Sequence, residues 1–486
     1  MLLFALACTP AVLPEDAMTL DELLSLDPAE VHPERVLVLD EGLPLSPFGL
    51  ETLRLQDHGG GRLRLVWTPD DPLQTVADLR AAGIYAEPDL RFHHTGERID
   101  QAVSAATADD PMAHLQWHMD NVGRAEAQTM STGAGAVVAV IDTGVSTRND
   151  GPTGLAMGYD FVDEDTDPSD EEGHGTHVAG TIAQATGNGK GVHGLAPDVE
   201  LLAVRVLDDD GHGWTSDIIA GIDYATEYGA DVINLSLGSY LRSSLQRQAV
   251  QRSTDAGVLV VAANGNDGVK ALMYPAAFPE VVAVSALDLD DALTDYSNYG
   301  FGTELCAPGG DTSADLDDNG HVDGVLQETF SGSNWGYYWY QGTSMATPHV
   351  VGAAALLMAQ GQTAQEARET LAATAIDLGA SGLDNRYGHG LIDPTAALSI
   401  SSQPPLREVK GYSNRGYRKV AFTLDNKYEV EVCDDSGTCI GFPRTKAPNT
   451  RWYWSPDATS YTVSLTALNR TRYEYGPFEF EEYTAW

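Results

Sequence analysis

Between residues 134 and 400 the chain alternates short apolar segments with helix-like segments, and this alternation restricts the possible fold more than any other feature. The segments GAVVAVIDTG, LLAVRVL, DVINLSL and VLVVAANG are continuous apolar runs of strand length. They alternate with HGTHVAGTIAQAT, SDIIAGIDYATEYG and TSMATPHVVGAAALLMAQ, which have the pattern of helices. Strands that are apolar on both faces and separated by helices predict a parallel sheet covered on both sides. In such a sheet, sites form at the carboxyl ends of the strands.

The regions that flank this central part have a different character. Residues 20–108 mix strand-like ERVLVLDEG and GRLRLVW with helix-like LQTVADLRAAG, which indicates a separate α/β domain. Residues 101–111 are small and polar and predict an exposed linker. Residues 401–486 hold 11 basic and 11 acidic residues, against 17 basic and 60 acidic before them, and 15 of the 39 aromatic residues. Because KVAFTL and YTVSLTAL in this tail are β-rich, we expect a small C-terminal β domain.

Composition excludes several classes of protein. The hydrophobic fraction of 43% supplies a large core, so the chain is neither disordered nor fibrous. A net charge of −43 argues against binding to nucleic acid or to an anionic membrane. No uncharged apolar run reaches about 18 residues, so we expect no transmembrane helix.

The first residues of the chain and two of its cysteines bear on which cellular compartment the protein occupies. MLLFALAC, ending at Cys8, resembles the lipobox of bacterial lipoprotein signals, although no basic residue precedes Arg35 and the run is short for a signal. We therefore expect an export or lipoprotein-like leader in residues 1–19, with a lipid anchor at Cys8. Cys433 and Cys439 bracket the turn-like DDSGT. They fit a disulfide in an oxidising compartment or two free thiols in the cytosol.

Three polar residues stand where the predicted strands end or the predicted helices begin. Asp142 follows a buried strand in VIDTG, His174 opens the helix in GHGTHVAGT, and Ser344 opens the helix in GTSMATPHV. A serine nucleophile needs a base, and the base needs a carboxylate that fixes its tautomer. A helix that starts at Ser344 directs backbone N–H groups at the reacting oxygen. Each residue alone has an ordinary explanation, such as a helix cap, but the set indicates nucleophilic catalysis.

These three segments resemble the Asp, His and Ser signatures of the subtilisin-like serine peptidases, the subtilase family, and the resemblance extends from about residue 110 to 398. The order Asp–His–Ser is the subtilisin order. The resemblance implies an α/β fold with a subtilisin-like parallel sheet flanked by helices, and a serine endopeptidase that forms an acyl-enzyme. It implies that Asp142 orients His174, that His174 is the general base and that Ser344 is the nucleophile. His177, in the same segment, is not catalytic by the family pattern.

The resemblance also implies an oxyanion site and a substrate cleft. Asn266 in VVAANGNDG would donate to the oxyanion together with the backbone N–H of Ser344, and losing one such donor costs about 3–4 kcal/mol in related enzymes. Asn264 stands where the family usually has a small residue. An extended substrate would lie between two strand edges. The residues expected to bind it are Gly211 and Gly213 on one edge, Ser236, Leu237 and Gly238 on the other, and Ala263, Gly265 and Met273 around the S1 pocket, which takes the residue before the scissile bond. Met273 favours medium apolar residues there, whereas Asp267 near the rim would favour basic ones.

Acidic loops indicate bound calcium, because clustered carboxylates repel one another and hard cations relieve that repulsion through oxygen ligands. The first loop resembles the calcium loop of thermitase-like subtilases and offers Asp160, Asp163, Asp165 and Asp167. The second resembles an EF-hand with Gly320 at its turn but Leu326 at its twelfth position, and offers Asp315, Asp317, Asn319 and Asp323. A third family site would use Asn188, with the usual upstream Asp displaced by one residue, to Asp150. Solvated acidic loops without calcium are the alternative.

The resemblance implies a precursor. Residues 20–108 would be a pro-domain that assists folding and inhibits the active site, 109–400 the catalytic domain and 401–486 the C-terminal β domain. AEPDL resembles the end of a pro-region, and we expect self-cleavage within residues 100–111. An unrelated α/β domain at 20–108 is the alternative. We expect a monomer located outside the cell or at its surface, acting on proteins and peptides.

Two other functions compete with this interpretation. A surface-binding or adhesion protein on a protease scaffold would use the aromatic residues of 401–486, but it has no need for the three catalytic residue types together. A metal-dependent hydrolase would use His174 and His177, but HExxH is absent and no third ligand is evident.

Overall fold

The computed structural model of the chain describes the greater part of its residues. They are 14, 17–40, 45, 50–58, 61–69, 71–103 and 110–401, followed by 406–414, 417–424, 428–434, 439–445, 449–453, 460–466, 472–479 and 481–482. Cys8 and the apolar run before it lie outside these residues, so the leader stays a prediction.

The N-terminal region is an antiparallel sheet with two helices. Its elements are α1 (Leu20–Leu24), β1 (Val31–Asp40), β2 (Glu51–His58), β3 (Gly61–Trp67), α2 (Pro72–Ala81), β4 (Ala86–His94) and β5 (Glu97–Val103). Asp71 accepts hydrogen bonds from two N–H groups of the first turn of α2 and Pro72 occupies its first position, which is a typical helix start. Val76 and Leu79 of α2 are buried against the sheet. The strand order is β2-β3-β1-β4.

The central region contains the predicted parallel sheet. Its strands are β6 (Val137–Asp142), β7 (Leu155–Asp160), β8 (Glu200–Arg205), β10 (Val232–Leu235), β12 (Leu259–Ala263), β13 (Val282–Leu287) and β14 (Thr303–Pro308). They lie in the order β14-β13-β12-β10-β6-β8-β7, and every neighbouring pair is parallel. Two short strands lie outside this sheet and pair with β4, namely β9 (His212–Trp214) and β11 (Leu237–Gly238).

Helices cover both faces of the parallel sheet. They are α3 (Trp117–Asn121), α4 (Arg124–Met130), α5 (His174–Ala183), α6 (Thr215–Tyr228), α7 (Ser244–Asp255), α8 (Thr343–Ala359), α9 (Ala364–Thr374) and α10 (Pro394–Ser401). Side chains of β6 alternate between the faces: Val138 and Val140 pack with residues of α5 and α8, and Ala139 and Ile141 with residues of α6 and α7. The strands are therefore buried on both sides, as their continuous apolar sequences predict.

A hairpin precedes the α8 helix and forms a third sheet. It consists of β15 (Val325–Ser331) and β16 (Asn334–Gln341), and β5 of the N-terminal region joins β16 as an antiparallel third strand. Residues 101–103 therefore belong to a strand, and Asp110 and Pro111 are buried. The prediction of an exposed linker over 101–111 is wrong at both ends, because backbone pairing and burial there depend on contacts distant in sequence.

The C-terminal region consists of two four-stranded sheets. One has the order β21-β18-β17-β24 and the other β20-β19-β22-β23. The strands are β17 (Leu406–Asn414), β18 (Tyr417–Leu424), β19 (Tyr428–Asp434), β20 (Cys439–Thr445), β21 (Asn449–Tyr453), β22 (Ser460–Thr466), β23 (Arg472–Glu479) and β24 (Glu481–Glu482). This agrees with the predicted β domain. Cys433 and Cys439 are direct partners across the β19–β20 ladder, a register that keeps the disulfide prediction open.

The α/β fold class with a helix-covered parallel sheet is thus confirmed. Within the described ranges every helix is too short or too polar to span a bilayer.

Candidate active site

The three residues singled out by the sequence lie at the end of the parallel sheet where the strands have their carboxyl termini. Asp142 ends β6, His174 begins α5, and Ser344 is the second residue of α8. All three are completely buried. His174 Nδ1 lies 2.7 Å from Asp142 Oδ1, so the carboxylate accepts from Nδ1–H and leaves Nε2 to face the nucleophile's side.

A second carboxylate fixes the start of the His174 helix. Asp170 is buried and accepts hydrogen bonds from Gly173 N (2.8 Å), Thr176 N (2.9 Å) and Thr143 Oγ1 (2.9 Å). It therefore ties the turn after Asp142 to the first turn of α5. Burial raises the pKa of Asp170 to about 6, against the lowering effect of these donors. The sequence offered Asp170 only as one member of an acidic cluster, without this role.

Burial governs protonation in the His174–Asp142 pair. It lowers the pKa of His174 to about 4 and raises that of Asp142, because charged forms are poorly solvated here. A neutral imidazole at Nε2 can accept a proton at neutral pH. The site therefore has the protonation state that a general base requires.

The Ser344 hydroxyl is hydrogen-bonded to groups other than His174. Ser344 Oγ donates to the carbonyl of Ser236 (2.9 Å) and accepts from Thr95 N (3.0 Å). Within the described part of the chain, His174 Nε2 has no hydrogen-bond partner, and the His174 ring is stacked on His94 with centroids 4.2 Å apart.

Two donors converge on one carbonyl oxygen beside Ser344. The carbonyl of Thr95 accepts from Ser344 N (3.3 Å) and from Asn266 Nδ2. The Asn266 amide cannot flip, because Oδ1 accepts from both N–H (2.9 Å) and Oγ1 (2.8 Å) of Thr343. The two donors have the arrangement that an oxyanion site requires, and they face a carbonyl of the chain itself.

The N-terminal region lies in the cleft as an extended strand. β4 pairs antiparallel with both β9 and β11: Phe92 opposes Gly213, and His93 opposes both His212 and Gly238. Two further backbone bonds run from His94 N to Gly211 O (3.2 Å) and from Thr95 N to Ser236 O (3.3 Å). The predicted substrate residues Gly211, Gly213, Ser236, Leu237 and Gly238 thus all lie along this strand.

At the expected S1 pocket, Met273 packs against two glycines. Met273 is buried between Gly238 and Gly265, and a Cβ atom on these glycines would lie 2.8 Å and 3.0 Å from its side chain. Ala263 ends β12 beside them. Asn264 is held in the core by bonds to Asn298 O and Thr303 Oγ1, which agrees with assigning it no catalytic role. Asp267 is bonded to the hydroxyl of Tyr240 at 2.6 Å.

His177 is occupied by structural contacts. Its Nε2 lies 3.0 Å from Val325 O and 3.1 Å from Tyr338 O, and its ring stacks on Tyr340. It therefore donates to backbone carbonyls instead of offering a lone pair to a metal. Among the described residues, the groups close enough to share an ion include no histidine, so the metal-hydrolase alternative receives no support.

The acidic loops differ from one another. In the first, the Arg205 guanidinium lies 2.7 Å from Asp160 and 2.9 Å from Asp163, so an internal cation already pairs with both carboxylates. Asp165 and Asp167 accept local hydrogen bonds. In the second, carboxylate oxygens of Asp315, Asp317 and Asp323 lie within 4.8 Å of one another. Asn319 contacts Asp317 there at 2.8 Å. In the third, Asn188 Nδ2 lies 2.7 Å from Asp150, so the displaced Asp does reach it.

Several contacts of the site were missing from the sequence interpretation. His94, Thr95 and Gly96 follow AEPDL, where the pro-region was expected to end, and they occupy the site upstream of the expected cleavage interval 100–111. The signal that was available is the continued apolar–polar alternation through DLRFHH. Asp110 is a second omission: it accepts N–H bonds from Gly187, Asn188 and Gly189 and so anchors the chain beside the third loop.

Comparison with known proteins agrees with this geometry. A model of the Subtilase family matches residues 133–390. A thermophilic serine proteinase from Bacillus sp. (strain AK1) is 43% identical over 256 residues, covering 52% of this chain but only 60% of that protein. Subtilisin BL from Lederbergia lenta is 43% identical over 268 residues, covering 55% of this chain and 91% of that protein. A solved structure of proteases from Pseudoalteromonas arctica PAMC 21717 is similar to this chain, with a TM-score of 0.56 and 34% sequence identity. The similarity covers 61% of this chain and all of that one.

Proposed function

The chain belongs to the subtilase family of serine-type endopeptidases, and we propose that it hydrolyses peptide bonds through an acyl-enzyme on Ser344 and is made as a self-cleaving precursor. The observation that carries this proposal is the Thr95 carbonyl between Ser344 N and Asn266 Nδ2. A peptide carbonyl in an oxyanion site, next to a serine hydroxyl, is poised as a substrate.

The first chemical step is attack on that carbonyl. Ser344 Oγ, once rotated toward His174 Nε2, adds to the carbonyl carbon of Thr95 while its proton passes to Nε2. Asp142 stabilises the imidazolium that forms, and Asn266 with Ser344 N stabilises the oxyanion. The bond between Thr95 C and Gly96 N then breaks, and the proton on His174 moves to the leaving nitrogen.

The second step releases the acyl group. Water attacks the Ser344 ester, giving a proton to His174 Nε2, and that proton returns to Ser344 Oγ as the Thr95 carboxylate leaves. For external substrates the same steps apply to any extended peptide that pairs with β9 and β11 as β4 does. Main-chain pairing gives affinity that does not depend on sequence, which suits an endopeptidase of proteins.

The N-terminal region then acts as an inhibitor of the site it has left. After cleavage, β4 would retain its pairing with β9 and β11, and a core shared between the regions would hold it. Phe92, for example, belongs to the same buried cluster as Leu207 and Ile218 of the central region. These contacts support a pro-domain role for residues 20–95, with Thr95–Gly96 as the cleaved bond, in place of the predicted boundary at residue 108.

Intact-mass and N-terminal analysis of wild type and Ser344→Ala, expressed with calcium, tests this proposal. We expect wild type to show a fragment beginning at Gly96, and Ser344→Ala to stay uncut. Ser344 in the cut protein should react with a fluorophosphonate probe. An uncut wild type, or the same cut in Ser344→Ala, would reject self-processing, and lack of probe reaction would reject the nucleophile.

Calcium is proposed as a structural ion, with the second acidic loop as its best-supported site. The N–H groups of Asn319 and Gly320 donate to Asp315, which curls the loop around its carboxylates. Burial and then the charges of Asp317 and Asp315 raise the pKa of Asp323, and a cation would relieve that repulsion. Calorimetric titration with calcium should show binding that Asp315→Asn with Asp317→Asn weakens; unchanged binding would exclude this loop. The loops at Asp160–Asp167 and Asn188 remain further candidates.

We also propose that the protein works outside the cell or at its surface. Calcium sites of extracellular proteins are commonly weak and fill only at the calcium concentrations found outside cells. A self-inhibited precursor also protects the producing cell from proteolysis. Fractionation of cells that express the chain should find the processed form in the medium or membrane fraction, and a purely cytosolic processed form would contradict the proposal.

A further inference from the structure

Arg54 of the N-terminal region is the cation in an acidic contact with the central region. It lies on β2, and its guanidinium donates to Asp217 Oδ1 at 2.7 Å, to Glu164 Oε1 at 3.0 Å and to the carbonyl of Phe161 at 3.4 Å. Its Cζ also lies 5.5 Å from the centre of the Phe161 ring. Asp217 belongs to the first turn of α6, whereas Phe161 and Glu164 belong to the loop between β7 and α5. One guanidinium therefore joins a helix of the central region to the first acidic loop.

The positive charges that act on Asp217 come from the N-terminal region. Asp217 is buried. Burial raises the pKa of Asp217, while the charges of Arg54 and then of Arg35 act to lower it. Both arginines belong to the N-terminal region and would leave with it. A buried carboxylate that loses its cation is strongly unfavourable, so the released central region needs another cation at this place.

A neighbouring carboxylate would keep its cation when β2 leaves. Gln56 follows on the same face of β2 and donates to Asp223 at 2.7 Å. Asp223 is also paired at 2.7 Å with Arg252 of the central region, which stays in place. Asp217 and Glu164, in contrast, have their ion pairs with the N-terminal region itself. The departure of β2 therefore removes the cation from Asp217 and Glu164 but not from Asp223.

We propose that Asp217, Glu164 and the carbonyl of Phe161 form a calcium site once Arg54 has left, so that calcium and the N-terminal region compete for one place. The effect on release rests on the proposed self-cleavage, whereas the site itself does not. This ligand set differs from the one that the sequence predicts within Asp160–Asp167. Two carboxylates and a carbonyl suit calcium, and water completes its coordination. A divalent ion balances both carboxylates, whereas a guanidinium balances one. The Glu164 side chain is 66% exposed, so it can close on the smaller ion.

Competition predicts how strongly calcium weakens the complex between the cleaved N-terminal region and the central region. With two carboxylates we expect a weak calcium site, with a dissociation constant of about 10⁻⁴–10⁻³ M. An ion that binds only the released central region raises the dissociation constant of the complex in proportion to its saturation of the site. At about 10 mM calcium the rise should be about 10- to 100-fold. Sodium chloride at the same ionic strength screens charges but does not bridge two carboxylates, so it should have a smaller effect.

Calcium binding to the uncut chain tests the site itself. In Ser344→Ala, Arg54 stays in place, and adding Arg54→Gln should let the chain bind one more calcium ion in equilibrium dialysis. Arg54→Lys keeps a cation and should add no ion, and Glu164→Gln combined with Arg54→Gln should remove the added ion. Arg62→Gln, on an exposed position of β3, removes the same charge and is the matched control. Equal amounts of bound calcium with and without Arg54→Gln would overturn the site.

Release from the self-cleaved wild type tests the competition and needs no substitution at Arg54. The dissociation constant of the complex, taken from the dilution at which peptidase activity appears, should be about 10- to 100-fold higher in 10 mM calcium than in sodium chloride of equal ionic strength. Glu164→Gln should remove most of this difference. A dissociation constant that calcium leaves unchanged would overturn the competition. If wild type stays uncut, the proposed self-cleavage falls, and dialysis of the uncut chain still decides whether the calcium site exists.

Discussion

The oxyanion site depends on one side chain and on the residue that orients it. Asn266→Ala should lower kcat by about 10²–10³-fold with little change in KM, because removing a side-chain donor of this kind costs about 2.7–4 kcal/mol in related enzymes. Thr343→Val removes one of the two donors that fix the amide and should lower kcat about fivefold, the effect of one hydrogen bond. Thr343→Ser keeps the hydroxyl and should behave as wild type. Steady-state kinetics check all three, and an effect confined to KM would contradict the assignment.

Gly96 is sterically required at the proposed scissile bond. A Cβ atom there would lie 2.8 Å from the His174 ring. That ring cannot move freely, since it is stacked on His94 and bonded to Asp142. Gly96→Val should slow self-cleavage about 5- to 100-fold, the range for a side chain forced into a packed site. Pulse-labelled precursor followed on gels gives the rate, and Gly96→Ala should lie between. Equal rates for all three would show that the bond is cut elsewhere.

The residues proposed to take part in the reaction could be picked out from sequence motifs, whereas the residues that orient them could not. Asp142, His174, Ser344 and Asn266 stand in motifs at strand ends and helix starts, and the structure brings all four together. Asp170 acts by accepting N–H bonds at a helix start, a role that any carboxylate in the acidic cluster might have taken. The pairing of Arg205 with the first acidic loop joins positions about 40 residues apart, which no local pattern reveals.

At the scale of elements, β4 caps a helix of the catalytic domain. Glu87 is fully buried and accepts from Ser243 Oγ (2.5 Å) and Ser244 N (3.0 Å) at the start of α7. Glu87→Ala would leave these donors without an acceptor inside the interface, at a cost of about 3 kcal/mol. The dissociation constant of the cleaved complex should rise about 100-fold. Glu51→Ala, on an exposed position of β2, is the matched control and should change it less than about twofold.

The dissociation constant is obtained from the dilution at which peptidase activity appears in the cleaved complex. Equal dissociation constants for Glu87→Ala and wild type would show that the cap does not contribute to holding the N-terminal region.

Helices and strands with a strong apolar pattern in their own sequence were predictable. Strands that form only by pairing with a distant segment were not. The apolar run of α8 predicts a helix, even though Pro348 lies inside it. Pro348 has no N–H to donate to the Ser344 carbonyl, and this carbonyl accepts instead from Ser236 Oγ at 2.9 Å. The sequence predicts a polar linker for the last three residues of β5, 101–103, because the strand conformation comes from pairing with β16. A segment that becomes a strand by pairing with the edge of another sheet needs no apolar alternation of its own.

At the scale of the whole molecule, the N-terminal region and the catalytic domain form one continuous structure around the active site. β4 and β5 pair with the catalytic domain on either side of Ser344, and one buried cluster includes residues of both regions. The proposed cleavage between the strands would remove one covalent link and none of these contacts. Release of the N-terminal region, the proposed inhibitor, would therefore require a change of conditions or its degradation.

We expect acidification to weaken the interface between the N-terminal region and the rest of the chain. Burial, and next the charge of His174, lower the pKa of His94 to about 3 in the complex, against an ordinary value of about 6.5 in the free chain. His94 is therefore neutral in the complex and takes up a proton when the N-terminal region is released. Its contribution to the affinity is fully present above about pH 6.5 and is lost as the pH falls below that value. One such group changes the dissociation constant by at most about tenfold per pH unit.

Carboxyl groups near His94 oppose this trend. Burial raises the pKa of Asp142 and of Glu172, so these groups favour the complex at low pH, and a variant is needed that changes only His94. His94→Phe keeps a ring stacked on His174 but does not titrate. Gel filtration of the cleaved complex from pH 8 to pH 4 should show wild type losing its N-terminal region more steeply than His94→Phe below about pH 6.5. Parallel pH curves for the two proteins would mean that the proton taken up on release does not go to His94.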